Sequence, residues 1–339
     1  MRRQPSGRDL WRKHPGHLRE ALTIAIATAL PCAPTHAQKA ADTYPTKPIR
    51  VVVPLAPGGG ADLYARVLAP RLSEAFGKPV VIDNRTGGGG MIGHEIAVRA
   101  VPDGYTVAVT SASYAANAAL FKLPYDPISD ITPLALIGQT GWMLVVHPSV
   151  PAKSTRELIA LAKANPGTLN YGSSGTGGVT HLASELFGLM ANAQLTHVPY
   201  KSTGTAISDL VGGQLQVIFG GVPPMMGMYK AGRVRAIAVT TARRVASVPD
   251  IPTIGETVPG YEATLWYGSF GPKGLPPDIA RRWNSEIAKA LTAPAIRERM
   301  AEEGVDPGGG PPDQLLNALK DDVLKWGKVV RAANVKVIQ

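Results

Sequence analysis

The sequence predicts an α/β fold of mostly parallel sheets flanked by helices, divided between two domains. Three observations predict it. Short β-branched runs recur along the chain, each ends in a cluster of glycines or small polar residues, and a helical pattern usually follows. The mature length of roughly 300 residues is enough for two domains of ordinary size.

The repeated unit can be followed in order. Ile49–Val53 runs into Pro54-Leu55-Ala56-Pro57-Gly58-Gly59-Gly60, and Val80–Ile82 into Asp83-Asn84-Arg85-Thr86 and Gly87 to Gly90. Thr106–Val109 leads to Thr110-Ser111-Ala112-Ser113. Leu169–Tyr171 leads to Gly172-Ser173-Ser174-Gly175-Thr176-Gly177-Gly178. Thr196–Val198 leads to Pro199-Tyr200-Lys201-Ser202-Thr203, and Val217–Phe219 to Gly220-Gly221-Val222-Pro223-Pro224. Between these runs, Leu63, Val67, Leu68, Leu72 and Phe76 recur at helical spacing, with Pro70 expected to kink the helix and Gly77 to end it. Ser154-Thr155-Arg156-Glu157 reads as a capping box whose helix stops at Asn165-Pro166-Gly167. Ile279, Trp283, Ile287 and Leu291 form one apolar face, and Leu315, Leu316, Leu319, Val323 and Trp326 another; both are core stripes.

Residues 1–37 read as a secretory leader. A basic start (Arg2, Arg3, Arg8, Arg12, Lys13, Arg19) precedes an apolar stretch from Ala21 to Leu30, and Thr35-His36-Ala37 supplies small residues before a cleavage point. The stretch is too short to span a membrane, which takes about 20 residues. Arg2-Arg3 fits a twin-arginine route only weakly, and Pro31 before Cys32 fits a lipid anchor poorly. Cys32 is the single cysteine, so the mature chain has no disulfide, thiolate metal site or cysteine nucleophile. The leader holds six Lys/Arg and two Asp/Glu, so about +6 of the formal +10 stays with the mature protein. That mild excess keeps the protein soluble or steers anions. No basic run interleaves with aromatics, so nucleic acid is not an expected partner.

Enzymatic motifs are weak. Gly88-Gly89-Gly90-Met91-Ile92-Gly93 matches GxGxxG formally, but the preceding strand ends too early and no acidic residue ends a strand about 20 residues on. Gly172-Ser173-Ser174-Gly175-Thr176 lacks the second glycine of GxSxG. The mature histidines, His94, His147, His181 and His197, show no metal-ligand spacing. No catalytic residue, cofactor or metal is expected.

The strand-end loops are the better lead. A chain turning into a helix through Gly58-Gly59-Gly60 turns backbone N–H groups outward at the positive end of the helix dipole, an anion site made without a cation. Ser111, Ser113, Ser173, Ser174, Thr176, Ser202 and Thr203 add neutral donors at other strand ends. Ligands of doubly wound sheets sit beyond the carboxyl ends of strands. Turn-making alone would explain one glycine loop; five alike point to a cleft.

These motifs, together with Tyr44-Pro45-Thr46-Lys47-Pro48-Ile49-Arg50, Pro102-Asp103-Gly104-Tyr105, Leu123-Pro124-Tyr125-Asp126-Pro127, His197-Val198-Pro199-Tyr200-Lys201 and Val248-Pro249-Asp250-Ile251-Pro252-Thr253, resemble the solute-binding proteins of tripartite tricarboxylate transporters, the Bug or TctC-like family. The resemblance runs from about residue 44 to the C-terminus. It implies a two-lobed, type II periplasmic-binding-protein-like fold with a two-strand hinge near Gly138–Leu144 and Thr264–Ser269. Lobe 1 would comprise residues 44–141 and 267–339, and lobe 2 residues 142–266. It implies a monomeric, non-enzymatic periplasmic receptor that holds a small carboxylate between the lobes and delivers it to an integral-membrane permease. An extracytoplasmic sensor for a membrane kinase is an alternative, and a periplasmic hydrolase a more distant one. Ligand contacts are expected from Gly59, Gly60, Ala61 and Asp62, from Ser111 and Ser113, from Ser173, Ser174 and Thr176, and from Tyr200 and Lys201. Asp62 has an equally good reading as an N-terminal helix charge. Gly220-Gly221 departs from the acidic or amide residue many relatives carry there, which bears on substrate identity.

Overall fold

The computed structural model describes residues 44–336, so the expected leader and its cleavage point lie outside the described residues. In chain order the strands are β1 (Ile49–Val53), β2 (Val80–Asn84), β3 (Thr106–Ser111), β4 (Ile131–Thr140), β5 (Trp142–Val146), β6 (Asn170–Ser173), β7 (Thr196–Pro199), β8 (Val217–Gly221), β9 (Arg235–Val239), β10 (Leu265–Pro272) and β11 (Asp306–Pro307). The α-helices are α1 (Gly60–Phe76), α2 (Met91–Val98), α3 (Ser113–Leu120), α4 (Thr155–Ala164), α5 (Val179–Ala191), α6 (Thr203–Val211), α7 (Val222–Lys230), α8 (Pro277–Leu291), α9 (Pro294–Glu302) and α10 (Asp313–Ala332). Each β-branched run read from the sequence is a strand, and each is followed by a loop and, in most cases, a helix.

The strands form a six-stranded sheet in the order β11-β4-β10-β3-β1-β2 and a five-stranded sheet in the order β7-β6-β8-β5-β9. The α/β class holds, but the sheets are mixed rather than mostly parallel. β1 pairs in parallel with β2 and β3, and β6 with β7 and β8. β4, β5, β9, β10 and β11 all join antiparallel. The parallel sets are the strand–loop–helix units, because a parallel return needs a crossover. Apart from β11, which joins the edge of the larger sheet, the antiparallel strands belong to segments that pass from one sheet to the other with no crossover helix.

That passage occurs twice. β4 ends at Thr140, Gly141 intervenes, and β5 begins at Trp142 in the other sheet. On the return, Thr240 N–H donates to Trp142 C=O, Ala263 N–H donates to Thr240 C=O, and Leu265 pairs with Thr140. A Cβ on Gly141 would sit 2.6 Å from Thr241 Cγ2 and 2.8 Å from Thr240 Oγ1, so only glycine lets the two crossing segments lie this close.

Helix α1 continues as one helix through Pro70 and stops at Gly77, whose φ of 65° is left-handed. The expected stripes on α8 and α10 are core: Ile279, Trp283, Ile287 and Leu291 are buried, as are Leu315, Leu319 and Trp326. Helix α10 packs against α3 and β4 beside the larger sheet and against α5 beside the smaller one. Its Asp322, 2% exposed, accepts from Trp266 Nε1 at 2.8 Å and pairs with Lys325 at 2.9 Å. The Ser154 cap forms, with Glu157 N–H donating to Ser154 Oγ at 3.2 Å. The reciprocal half is displaced by one residue, because the Glu157 carboxylate accepts from Lys153 N–H instead. The complete box lies at Thr253 and Glu256, where each side chain accepts from the other's backbone N–H.

Candidate functional site

Strand register brings the loops together. Val53 pairs with Asn84 and Val52 with Ala108, so the carboxyl ends of β1, β2 and β3 share one edge. Tyr267 pairs with Ser111 and Leu265 with Thr140, which puts the crossing at that same edge. In the other sheet Trp142 pairs with Gly221, Gly172 with Ile218 and Ser173 with Pro199, so the carboxyl ends of β6, β7 and β8 also lie at the crossing. Two rows of glycine and hydroxyl loops thus meet across Thr140-Gly141-Trp142.

In the first loop, Gly59 is the N-cap of α1 with no side chain to cap it, and the amides of Gly60, Ala61 and Asp62 open the helix. Asp62 is 3% exposed. Its carboxylate accepts from Gly58 N–H at 2.9 Å, from Arg66 Nε at 2.9 Å and from Asn84 Nδ2 at 2.9 Å. Burial by itself would raise its pKa; those donors, Arg66 foremost, outweigh burial and hold it at about 2. The carboxylate therefore closes the loop onto α1 and β2, the contacts that the helix-charge reading of this residue expects.

At the end of β3, Ser111 Oγ and Ser113 Oγ lie 3.0 Å apart, and Ala112 N–H donates to Trp266 C=O, tying this loop to the crossing strand. After β6, Ser173 and Ser174 differ. Ser173 is fully buried; its Oγ lies 2.7 Å from His197 Nε2, donates to Gly175 C=O and accepts from Gly175 N–H. Ser174 and Thr176 are exposed, with Ser174 Oγ 3.0 Å from Thr180 Oγ1. Tyr200 donates its hydroxyl to Asp209 at 2.7 Å and its N–H to Ser173 C=O, while Lys201 is exposed beside it. Desolvation first, and then Asp209, push the Tyr200 phenol up to about 12. Gly220 is explained by packing: a Cβ there would meet Met225 Cγ at 2.7 Å, so buried Met225 occupies the space beside the strand.

Sequence reasoning treated the histidines singly and so missed a cluster below the Ser173 loop. His181 from α5 and His197 from β7 stack with ring centres 3.8 Å apart. Gly177 N–H donates to His181 Nδ1 at 3.0 Å, and Tyr171 donates its hydroxyl to Glu185. Burial, then the neighbouring His181, hold His197 down at about 4. His94 is fully buried against Thr110 Oγ1 at 2.7 Å, and burial holds it at about 3. Both are neutral at physiological pH. Only the i,i+4 spacing of His181 and Glu185 was visible in sequence, and it does not reveal the partner strand.

Comparison with known proteins agrees with this geometry. Residues 64–335 match the tripartite tricarboxylate transporter family receptor, TctC. A UPF0065 protein from the tcbD-tcbE intergenic region of Pseudomonas sp. (strain P51) is 36% identical over 315 residues, covering 92% of this chain and 94% of the relative. BugT of Bordetella pertussis is 36% identical over 318 residues, covering 93% and 96%. Among solved structures, Rpa4515 of R. palustris with adipate is 34% identical with a TM-score of 0.75, covering 87% of this chain and 100% of that one. MatC of Rhodopseudomonas palustris with bound malate is 30% identical with a TM-score of 0.72, covering 85% and 100%. These neighbours are solute-binding proteins, not enzymes. The chain belongs to the TctC family of tripartite tricarboxylate transporter receptors, the Bug-type periplasmic solute-binding proteins.

Proposed function

We propose that this protein is exported to the periplasm, captures a small carboxylate between two lobes and passes it to a tripartite tricarboxylate permease. The lobes are residues 44–141 with 267–339, and residues 142–266. The observation that carries the reading is the meeting of two rows of amide- and hydroxyl-bearing loops at the double crossing, with the start of α1 among them. Such a lining suits oxygen acceptors and supplies charge-assisted hydrogen bonds. Adipate in Rpa4515 and malate in MatC, both of similar fold, support the same ligand class here.

Proposed contacts are the amides of Gly60 and Ala61, the hydroxyls of Ser111, Ser113, Ser174 and Thr176, and the exposed Lys201, with Gly59 shaping the turn through its N–H bond to Ala56 C=O. Asp62, Ser173 and Tyr200 are proposed to act behind them, because they are committed to charged or buried partners, whereas Ser111, Ser113 and Ser174 pair with other hydroxyls that can turn towards a ligand. A thermal-shift screen of mono-, di- and tricarboxylates tests the reading. A true ligand raises the melting temperature, by the equivalent of about 2.7 kcal/mol at 100 times Kd. A flat response across the screen overturns it. Delivery is tested by uptake of the identified ligand in cells that carry the permease with and without the receptor.

A further inference from the structure

Tyr267 lies in β10, the strand that returns from the crossing, and its Cα partner in β3 is Ser111. Residues directly opposite on antiparallel strands project to the same face. Tyr267 packs in the apolar cluster with Ala61 and Tyr64 of α1, and its ring lies 4.8 Å from that of Tyr64. Its hydroxyl reaches the first residue of α1: a Cβ built on Gly60 would fall 2.2 Å from Tyr267 Oη and 2.5 Å from Cζ. Gly60 is therefore the residue that admits this ring to the helix start.

The side chain is 8% exposed, and its hydroxyl makes no hydrogen bond to the described residues while, unlike those of Tyr114 and Tyr125, it is not sealed from solvent. Tyr44, Tyr64, Tyr171, Tyr200 and Tyr261 all donate to protein acceptors, and the two fully buried tyrosine hydroxyls without a partner among the described residues, those of Tyr114 and Tyr125, lie away from the α1 start. A phenol proton that no protein group accepts is left to water or to a ligand that reaches it. Oη sits at Gly60, where the amides of α1 open, and Ser111, the β3 partner of Tyr267, is paired with Ser113; the one charged group felt by the phenol, Glu303, is already engaged by Tyr64 and Arg299. An acceptor-rich anion completes such a set, and a second donor does not.

We infer that Tyr267 is a specificity-determining residue whose Oη–H donates to a carboxylate oxygen of the ligand at the N-terminus of α1. The inference rests on the carboxylate reading above and adds to it a contact from the crossing strand. It makes one carboxylate end bridge the α1 loop and the strand on which the lobes turn, so that occupancy is felt where the sheets are joined. Burial raises the phenol's pKa, which keeps the donor proton in place at any physiological pH.

The test is calorimetric titration of the full mature chain and its Tyr267→Phe variant with adipate, malate and succinate, alongside melting of both unliganded proteins. For whichever of these binds the wild type, the variant is expected to bind about tenfold or more weakly, as for loss of a hydrogen bond to a charged group. Its unliganded melting temperature is expected not to fall, because no protein bond is lost. Equal affinity in the two proteins overturns the role of Tyr267 and leaves carboxylate binding intact. A lower unliganded melting temperature with unchanged affinity assigns the hydroxyl to structure and likewise overturns it. Absence of binding to the wild type by all three overturns this assignment; a flat response in the broader screen as well is what removes the carboxylate reading itself.

Discussion

Ser173 Oγ lies 2.7 Å from His197 Nε2, so a loop that follows one parallel strand is fastened to the strand beside it. The same hydroxyl also bridges the amide and carbonyl of Gly175. The shape of the Ser173–Gly178 loop is thus held from below, while Ser174 and Thr176 stay exposed above.

The two serines should separate on mutation. Ser173→Ala leaves His197 Nε2 and the Gly175 amide without their partner and should cost about 1–3 kcal/mol of stability. Ser174→Ala should leave stability nearly unchanged and weaken carboxylate binding, by up to about tenfold if water replaces the hydroxyl incompletely. Thermal melts and calorimetry on the two single variants check both halves.

Stability should fall on mild acidification. His94 is held at about 3 and His197 at about 4, against about 6.5 in an unfolded chain. Between those values the unfolded state binds more protons, so acid favours unfolding. The contribution of the two neutral rings is complete above pH 6.5 and is lost progressively from there towards pH 4, with His94 continuing towards pH 3. The expected loss by pH 4 is on the order of a few kcal/mol. Melting curves from pH 8 to pH 4 measure it, and His94→Gln should make the decline shallower.

Asp62→Asn should destabilise the protein by about 2 kcal/mol, since an amide nitrogen would replace one acceptor oxygen among the donors Arg66, Asn84 and Gly58. The engagement of Asp62 also bears on ligand choice. An α-ammonium group enclosed near this loop would lack an acidic partner, and a buried unpaired cation is costly. Succinate should therefore bind more tightly than aspartate, and glutarate more tightly than glutamate. Tighter binding of the amino acids in calorimetry at neutral pH would contradict this.

The caps of α4 and of the short 3-10 turn Ile254–Glu256 offer a comparison. Ser154→Ala removes the single cap bond of α4 and should cost about 1 kcal/mol. Thr253→Ala breaks one arm of a reciprocal box whose Glu256 also pairs with Arg244, and should cost at least as much. Urea denaturation of both variants gives the difference directly.

Ligand should draw the two sheets together about the Thr140–Trp142 and Ala263–Leu265 crossings, because closure lets both rows of loops touch one molecule. Solution scattering should show a smaller radius of gyration with saturating ligand. An unchanged radius with proven binding would contradict closure.

Much of this molecule was decided locally and was therefore visible in the chain. Val51 to Val53 followed by three glycines, or Ile279, Trp283, Ile287 and Leu291 at helical spacing, specify a strand, a turn and a buried face without reference to distant residues. The strand-end loops, and the chemistry of their amides and hydroxyls, follow from the same local signals. What the sequence left open required partners brought from far along the chain. Ser173 and Ser174 are adjacent and alike as residues, and only the arrival of β7 with His197 buries one function and leaves the other exposed. The partners of Asp62, Arg66 and Asn84, likewise depend on a strand brought from elsewhere in the chain, since Asn84 ends β2. The antiparallel strands were unreadable because their direction is set by where the chain crosses between sheets, not by their own residues. Tyr267 carries no motif; its place at the start of α1 depends on the register of β10 against β3, which is fixed by tertiary packing alone.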